Sequence, residues 1–367
     1  MSIPKTPSGM KFPSTRIRCT FTEVIKNLLQ LSSDSVALSF VIDQEQLPNI
    51  EEFFNSIQTN KHLYKASLSH QLSSGLSPDV EETTFKNTTK SWFIKTADFG
   101  DSYDQLLQHP DGRFTQLLED LARYHQIFQQ GYDKVVLIRP PLYAGYDIQL
   151  TAAMKALGYA SEQFQFIIVE PIKLYAFHMP TQRLTPIPDL SSEELIQAIG
   201  MDALRWHSLR VPLTNVAPIN ISTAGQPTSE DSLYHVQSAH ARCCALLHQA
   251  HEQEVIQLDT THKDSWTVSP PLLSLSKYDW DATHAQELVN QIQAVPQVLS
   301  QSAAELAPHL VIHHLEAISQ ACHQWLDSIN LTQQSCALLL ATKQVIFDLL
   351  ENILTIQAPE RLGSSRV

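Results

Sequence analysis

The chain has 367 residues, of which 43% are hydrophobic and 17% charged, and this length is enough for two or three domains. No apolar run is long enough to cross a bilayer, and the first residues lack the apolar core of a signal peptide, so we expect a cytoplasmic protein without a membrane partner. The five cysteines include no CxxC pair, and a formal net charge of -13 argues against a broad basic surface for DNA or RNA.

Residues 1–90 are predicted to form an N-terminal α+β region whose fold we leave unassigned. Apolar residues at helical spacing predict a helix from Phe21 to Leu31, followed by a buried strand at Val36–Ile42. A second helix is expected to begin at Pro48-Asn49-Ile50, and the polar stretch up to Lys90 indicates loops or weakly paired strands.

Residues 91–190 alternate between short β-branched runs and helical periodicity, which predicts an α/β sheet. Gly158 is the expected C-cap of the second helix, and Lys134–Ile138 is typical of a central parallel strand. The predicted strands are Ser91–Ile94, Lys134–Ile138 and Phe164–Val169, and the predicted helices are Phe114–Gln129 and Ile148–Leu157.

Residues 191–367 are predicted to be almost wholly helical and to form a bundle. Ser191 or Ser192 with Glu194 is the expected N-cap of the first helix, and Pro270-Pro271 and Pro296 are expected to interrupt the helices. The longest predicted helices are Ser232–Gln253, Ala282–Ser302, Pro308–Ile329 and Leu331–Leu354.

Four ordered motifs in this helical part resemble one protein family. Gly200–Trp206 (GMDALRW) resembles the GxDALRxx motif of the DALR domain of arginyl-tRNA synthetases, and Tyr234–Arg242 is similar to the YVQYAHAR helix of that family. Pro308–Leu310 matches the PHxL start of a later helix, and Ala358–Leu362 resembles the APERM sequence that ends these enzymes. The resemblance implies an all-α DALR-type anticodon-binding helical bundle over residues 191–367.

The resemblance extends upstream to about Ser91. Asp98–Asp101 and Asp111–Asp120 look like the GDD and SDGxxTYLLxD stretches of the family, and Gly131–Val136 and Ala153–Tyr159 are similar to the strand and helix that follow. It implies that residues 91–190 are an α/β remnant of a class I synthetase Rossmann domain. Residues 1–90 do not visibly match.

The motifs with which class I synthetases bind ATP do not appear. No HIGH-like sequence precedes Ser91, and where the KMSKS loop is expected the chain has Phe177–Pro186, in which Arg183 is the only lysine or arginine. Both motifs place positive charge where negative charge develops during amino-acid activation. We therefore expect no catalytic residues, no cofactor and no arginine–tRNA ligase activity.

The amino-acid pocket implied by the resemblance is also altered. Asp120 stands where the family has the aspartate that holds the substrate guanidinium, but the family tyrosine four residues earlier is Gln116. The polar segment after the central strand has become Arg139–Gly145, which we interpret as a rigid turn at Pro140-Pro141. Asp120 is thus a remnant of an arginine-binding site.

The resemblance places candidate tRNA-binding residues on the bundle. Arg242 occupies the position of the YAHAR arginine and His235 that of a family tyrosine, and a histidine ring can stack on a base. Trp325 is interpreted as core. His309 and His313 are four apart on one helical face, but no carboxylate or cysteine joins them at ligand spacing, so no metal site is predicted. The candidate tRNA-binding residues are Arg242, His235, Arg361, Leu362 and Lys343, the last of which we otherwise expect to be plain surface.

Two main functions remain open. One is a catalytically inactive tRNA-binding protein, with an arginine tRNA as one candidate ligand, whose affinity is weak because acidic residues outnumber basic ones in residues 191–367 by more than two to one. The other is a protein-interaction or regulatory module on a synthetase-derived scaffold. An arginine sensor built on Asp120 and a residual adenylate-forming enzyme are lesser alternatives.

Overall fold

The computed structural model describes residues 24–25, 27–28, 49–67, 90–178, 182–262, 266–277, 280 and 284–362. The contacts among these residues divide them into two units. The α/β unit contains residues 49–67 and 90–169, and the helical unit contains residues 24–28 and 170–362 apart from the gaps given above. The predicted strand Val36–Ile42 and most of the predicted helix Phe21–Leu31 lie outside the described residues, although Val24, Ile25 and Leu28 are buried.

The α/β unit begins with the predicted short helix and an antiparallel sheet. Helix α1 (Ile50–Ile57) begins after Asn49, whose side chain accepts a hydrogen bond from the Glu52 backbone N–H and so caps the helix. The sheet has three strands in the order β1, β2, β3, in which β2 pairs antiparallel with both neighbours. These strands are β1 (Leu63–Ala66), β2 (Ser91–Ile94) and β3 (Gln105–Gln108).

The second half of the α/β unit is one β-α-β crossover. Strands β4 (Val135–Arg139) and β5 (Phe164–Ile168) are parallel and in register from Val135 opposite Phe164 to Arg139 opposite Ile168. They are joined through a short 3-10 turn and helix α3 (Ala144–Ala156), and helix α2 (Gln116–Gln129) precedes β4. The predicted parallel strand is confirmed, and its central position stays a prediction because β4 has one neighbour among the described residues.

The core of the α/β unit lies between these helices and strands. Leu118, Leu121, Leu150 and Met154 are almost fully buried there, as the helical periodicity predicts. Gly158 ends α3 with φ of 101°, a left-handed conformation in which its N–H bonds the Lys155 carbonyl, so the predicted C-cap is confirmed.

The helical unit carries a small mixed sheet in addition to its helices. Strand β6 (Ile172–His178) pairs antiparallel with β7 (Arg183–Pro186) and parallel with β8 (Ala217–Asn220). A short hairpin, β9 (Gln257–Asp259) with β10 (Thr267–Ser269), lies further along the chain. The all-α fold predicted for residues 191–367 is therefore wrong at the three short strands β8, β9 and β10.

Six α-helices make up most of the described part of the helical unit. The first is capped as predicted, since Ser191 and Glu194 form a reciprocal capping box. A single π-helical turn, Asp348–Ile353, continues the last helix. The helices are α4 (Ser192–Ile199), α5 (Met201–Leu209), α6 (Ser232–Glu252), α7 (His284–Glu305), α8 (Pro308–Leu326) and α9 (Gln333–Phe347).

Helix α7 continues through Pro296, so the prediction that this proline interrupts the helix is wrong. The cysteines at 243, 244, 322 and 336 are free and buried, whereas Cys19 lies outside the described residues. Among the residues that the structure describes, no helix is long and apolar enough to cross a bilayer. The predicted domain limits at residues 90 and 190 stay predictions, and the two observed units meet at residue 169/170.

Candidate nucleic-acid interface

The C-terminal segment of the helical unit, residues 355–362, is held by residues of two earlier motifs. The Gln357 N–H donates to the Asp202 carboxylate at 3.1 Å, and the Gln237 side-chain amide donates to the Gln357 carbonyl at 2.8 Å. The His240 Nδ1–H donates to the Pro359 carbonyl at 2.9 Å. The DALR-like, YVQYAHAR-like and APERM-like motifs, far apart in sequence, therefore meet in one place.

One further contact, from Arg205, completes this attachment. The Arg205 guanidinium donates to the Thr355 carbonyl, and Thr355 itself has a positive φ of 54°. His240 is fully buried, and burial lowers its pKa although the hydrogen bond to Pro359 opposes this. The neutral ring therefore acts as a fixed hydrogen-bond donor for the segment.

A cavity of about 450 Å³ lies beside the attached segment. It opens between the start of α5, the start of α6 and the loop that precedes α6. Gly225 in that loop has φ of 73°, and a Cβ there would lie 2.1 Å from the Ile199 carbonyl oxygen, so the loop requires glycine. Asp202, Tyr234, Gln237 and Leu362 are among the motif residues that line the cavity, and Gln357, which immediately precedes the last motif, also lines it.

Arg242 lies on α6 beside His323 of α8 and Asp327, the C-cap residue of α8. Its Nη1 donates to His323 Nδ1 at 2.8 Å, and its Nη2 lies 3.4 Å from the Asp327 carboxylate. The Arg242 side chain is 41% exposed and that of Asp327 is 76% exposed, so this ion pair is open to solvent and contributes little to stability. Arg242 thus presents a positive charge that one exposed carboxylate partly neutralises.

The contacts of His323 fix its protonation state. Because arginine can only donate, Nδ1 of His323 must be the acceptor, and Nε2 must carry the proton that it donates to the His235 carbonyl at 3.0 Å. Burial lowers the pKa of His323, and the hydrogen bond to His235 opposes this. The His323 and His235 rings pack with centroids 4.2 Å apart, and burial also lowers the pKa of His235, with the Arg242 charge adding to the effect.

The structure distinguishes among the predicted tRNA-binding residues. Arg242 and His235 lie together, Arg361 is exposed, and Leu362 is half-buried at the cavity. Lys343 is 0% exposed, and its ammonium lies 4.8 Å from the Trp266 ring centre and 4.9 Å from that of Phe347. The expectation that Lys343 lies on the surface is wrong, because these rings enclose the cation in the core.

Trp325 is 7% exposed, which confirms its interpretation as core. His323 and Asp327, which complete the Arg242 cluster, were not predicted. The signal available for them was their spacing, since both follow the PHxL motif on one helix and positions 323 and 327 are four apart.

The second predicted site, Asp120, lies on α2 in the α/β unit. Its buried carboxylate accepts a hydrogen bond from the Tyr146 hydroxyl at 2.5 Å and lies 3.4 Å from the Gln116 amide nitrogen. Arg123 approaches it to 3.7 Å. Burial raises the pKa of Tyr146, and the adjacent Asp120 charge adds to this, so the phenol stays protonated as a donor. Both Asp120 oxygens are therefore engaged by the chain itself.

Most of the helices and interlocked motifs of the helical unit lie in the part of the chain that matches a known domain family. The chain matches the family described as "DALR anticodon binding domain" over residues 236–362. This range contains Arg242, its partners His323 and Asp327, and the attached C-terminal segment.

The relatives identify the family more closely. Over 340 residues the chain is 27% identical to an arginine–tRNA ligase of Synechococcus, covering 87% of the chain and 54% of that protein. Over 291 residues it is 26% identical to an arginine–tRNA ligase of Oceanobacillus iheyensis, covering 76% of the chain and 49% of that protein. The chain is a distant relative of arginyl-tRNA synthetases with a DALR anticodon-binding domain, and it spans about half the length of these relatives.

The fold agrees with this relationship. A Campylobacter jejuni protein assigned as an arginyl-tRNA synthetase superposes with a TM-score of 0.65 at 17% identity, covering 85% of this chain and 62% of that one. At this identity the similarity establishes the fold alone. The helical C-terminal domain and the mixed α/β part preceding it are both consistent with the predicted fold class.

Proposed function

We propose that this chain binds tRNA through its helical unit and does not activate an amino acid. The observation that supports tRNA binding is the match of residues 236–362 to an anticodon-binding domain, together with a partly exposed Arg242 beside the packed rings of His235 and His323. An arginine side chain pairs with a phosphate, and a half-buried imidazole offers a flat surface to an unstacked base. An arginine tRNA is the proposed ligand because the relatives are named arginine–tRNA ligases.

The affinity is expected to depend on few contacts. Acidic residues exceed basic ones by more than two to one in residues 191–367. Arg205 donates a hydrogen bond to the Thr355 carbonyl, and Lys343 is buried. Arg242 and Arg361 are therefore the motif cations that can reach RNA. With so few phosphate contacts, binding should be weak at physiological salt and have a shallow salt dependence.

Asp327 competes with RNA for Arg242. A phosphate that pairs with this guanidinium must displace or share the Asp327 carboxylate 3.4 Å away, and that carboxylate also repels the phosphate. Binding therefore exchanges one exposed ion pair for another, which limits the gain in free energy.

A titration of labelled tRNA at two salt concentrations tests this function. We expect wild type to bind at low salt, Arg242→Ala to bind at least several-fold more weakly with a salt slope smaller by about one, and Asp327→Asn to bind more tightly. Arg210→Ala is the matched control, because Arg210 is also partly exposed and paired with a carboxylate, Glu316, but lies outside the Arg242 cluster. Equal losses for Arg242→Ala and Arg210→Ala would show that only nonspecific charge matters.

Features of the α/β unit and of the hairpin formed by β6 and β7 support the absence of amino-acid activation. The Asp120 carboxylate is engaged by Tyr146 and Arg123, and Pro140 and Pro141 lead into a 3-10 turn instead of a polar segment. In the stretch where a KMSKS loop is expected, Arg183 lies on strand β7 as the only lysine or arginine of Phe177–Pro186. These features provide little positive charge to bind the phosphates of a nucleoside triphosphate.

Arginine-dependent exchange of pyrophosphate into ATP measures this directly. We expect no rate above a control without protein, for wild type and for Asp120→Ala alike. A rate that depends on arginine in wild type and disappears in Asp120→Ala would establish a working activation site and contradict the proposal.

Docking of a protein partner is the second candidate, and one observation favours it. Phe177 and Leu184 face each other across the β6–β7 hairpin and are 45% and 52% exposed. Apolar side chains paired on an exposed hairpin are typical of a contact surface. If wild type binds no tRNA even at low salt, this becomes the leading function, and it predicts that Phe177→Ser abolishes the interaction while leaving the helical unit folded.

A further inference from the structure

The guanidinium of Arg139 is enclosed at the carboxyl end of strand β4. Arg139 is the last residue of this strand, and its side chain is 15% exposed. Its Nη1 donates to the Asp147 carboxylate at 2.9 Å, and its Nη2 donates to the Tyr124 hydroxyl at 3.0 Å. In α/β folds, ligands bind beyond the carboxyl ends of parallel strands, so this cation lies where a ligand is expected.

Aromatic rings complete the surroundings of the guanidinium. The ring centres of Tyr143 and Tyr146 lie 5.5 Å and 5.7 Å from the Arg139 Cζ, within the range of cation–π attraction. Flat rings and hydrogen-bond acceptors in the plane of the fork favour a guanidinium over an ammonium ion.

Two buried carboxylates set the charge of this enclosure. Asp147 and Asp120 are each 6% exposed, and Asp120 is bonded to Tyr146, which packs on Arg139. Burial alone would lower the pKa of Arg139, but the surrounding Tyr124, Asp147 and Asp120 together raise it. One Asp147 oxygen, Oδ2, has no hydrogen-bond partner among the described residues. Without the Arg139 cation, two carboxylates would be left buried with Arg123, 3.7 Å from Asp120, as the cation paired with them among the described residues, which is strongly unfavourable.

We propose that Tyr124, Tyr143, Tyr146, Asp120 and Asp147 form a guanidinium-binding site that the chain fills with its own Arg139. Once emptied, this site takes a small alkylguanidinium ion. The native chain, with the site filled, binds neither free arginine nor another guanidinium compound there. This site lies in the α/β unit and does not depend on the proposed binding of tRNA by the helical unit.

Chemical rescue of Arg139→Ala tests the proposal. Ethylguanidinium restores the atoms that the substitution removes, and ethylurea is a neutral ligand of nearly the same shape. Without ligand, the calorimetric melting temperature of Arg139→Ala should be lower than that of wild type. It should rise saturably with millimolar ethylguanidinium, but not with ethylurea. Neither ligand should change the melting temperature of wild type or of Arg113→Ala. In wild type the Arg113 side chain is exposed and paired with Asp111.

A second measurement covers the case in which Arg139→Ala does not fold. In wild type labelled with 15N-arginine, an enclosed guanidinium should give separate, slowly exchanging Nη–H signals, and these should be absent from the folded Arg139→Lys variant. Equal shifts by ethylguanidinium and ethylurea, or no slowly exchanging guanidinium signal in wild type, would overturn the proposal. Titration of tRNA into Arg139→Lys should give the wild-type affinity, so failure of this proposal is distinguishable from failure of RNA binding.

Discussion

At the scale of single residues, burial separates cations that look equivalent in sequence. Arg242 and Lys343 both lie on helices of the matched domain, but the first is 41% exposed on its side chain and the second is 0% exposed. The motif predicted that Arg242 and His235 lie on one helix, and both lie on α6, whereas their contact with tRNA stays a prediction. Sequence position could not place Lys343, because the aromatic rings that enclose the cation come from Trp266 on another element and from Phe347 one turn away.

Replacing Lys343 with methionine tests this distinction. Lys343→Met should leave tRNA affinity within about two-fold of wild type, because the ammonium does not reach solvent. It should lower the free energy of unfolding by about 1–2 kcal/mol, since cation–π attraction to two rings is lost while the cost of burying the charge is relieved. The measurements are tRNA titration and urea unfolding. A loss of affinity as large as that of Arg242→Ala, at unchanged stability, would place Lys343 in the RNA contact after all.

At the scale of elements, local signals predicted most helices and failed where pairing is distant. The capping residues Asn49 and Ser191 and the C-cap Gly158 act within one turn, so the sequence was sufficient for them. Strand β8 was missed because it is defined by pairing with β6, about 45 residues earlier, with Ile172 opposite Ala217. The Asp120 and Arg139 networks were missed for the same reason, since their partners come from other elements.

The prediction that Pro296 interrupts a helix failed, and the continuity of α7 through this proline has a measurable consequence. The proline lies inside α7, where it removes one backbone hydrogen bond, yet packing of α7 on α8 keeps the helix continuous. Pro296→Ala should therefore stabilise the helical unit by about 2 kcal/mol, which is the helix-interior penalty of about 3 kcal/mol less the entropy that proline removes from the unfolded chain. Urea unfolding followed by circular dichroism measures this, with Pro308→Ala at the first turn of α8 as a control that should gain much less. No gain for Pro296→Ala would show that α7 has adapted to the proline.

At the scale of the whole molecule, the charge balance and the histidines decide how the protein responds to its surroundings. The chain has 16 histidines and a net charge of -13 at neutral pH. Burial lowers the pKa of six described histidines, namely His109, His125, His235, His240, His309 and His323. Composition alone gave the count, but which rings are buried depends on the packing of α6 and α8, which no single stretch of sequence specifies.

These histidines predict that the protein loses stability as the pH falls from 7 to 5. Between the pKa of the folded state and the higher pKa of the unfolded state, such a histidine is protonated only in the unfolded chain. The free energy of unfolding therefore rises with pH between these two values. The ordinary histidine pKa is 6.5, and the loss should begin near that pH. Each fully shifted histidine contributes a slope of at most about 1.4 kcal/mol per pH unit. Asp147 and Asp202, whose pKa is raised by burial, act in the opposite direction, and their effect develops as the pH falls from the raised pKa to the ordinary carboxyl value of 3.8.

His240 is the residue with which to test this, because it is fully buried and donates to the Pro359 carbonyl through Nδ1. An asparagine at this position keeps a donor near Nδ1 but cannot gain a proton, so His240→Asn should reduce the pH slope of the unfolding free energy by up to about 1.4 kcal/mol per unit. The exposed His262→Gln is the control and should leave the slope unchanged. Urea unfolding at pH 5, 6, 7 and 8, followed by the fluorescence of the buried Trp206, Trp266 and Trp325, gives the slopes for the helical unit. Equal slopes for wild type and His240→Asn would mean that His240 is not protonated on unfolding in this range, and the pH response of the helical unit would then have to come from His235, His309 and His323.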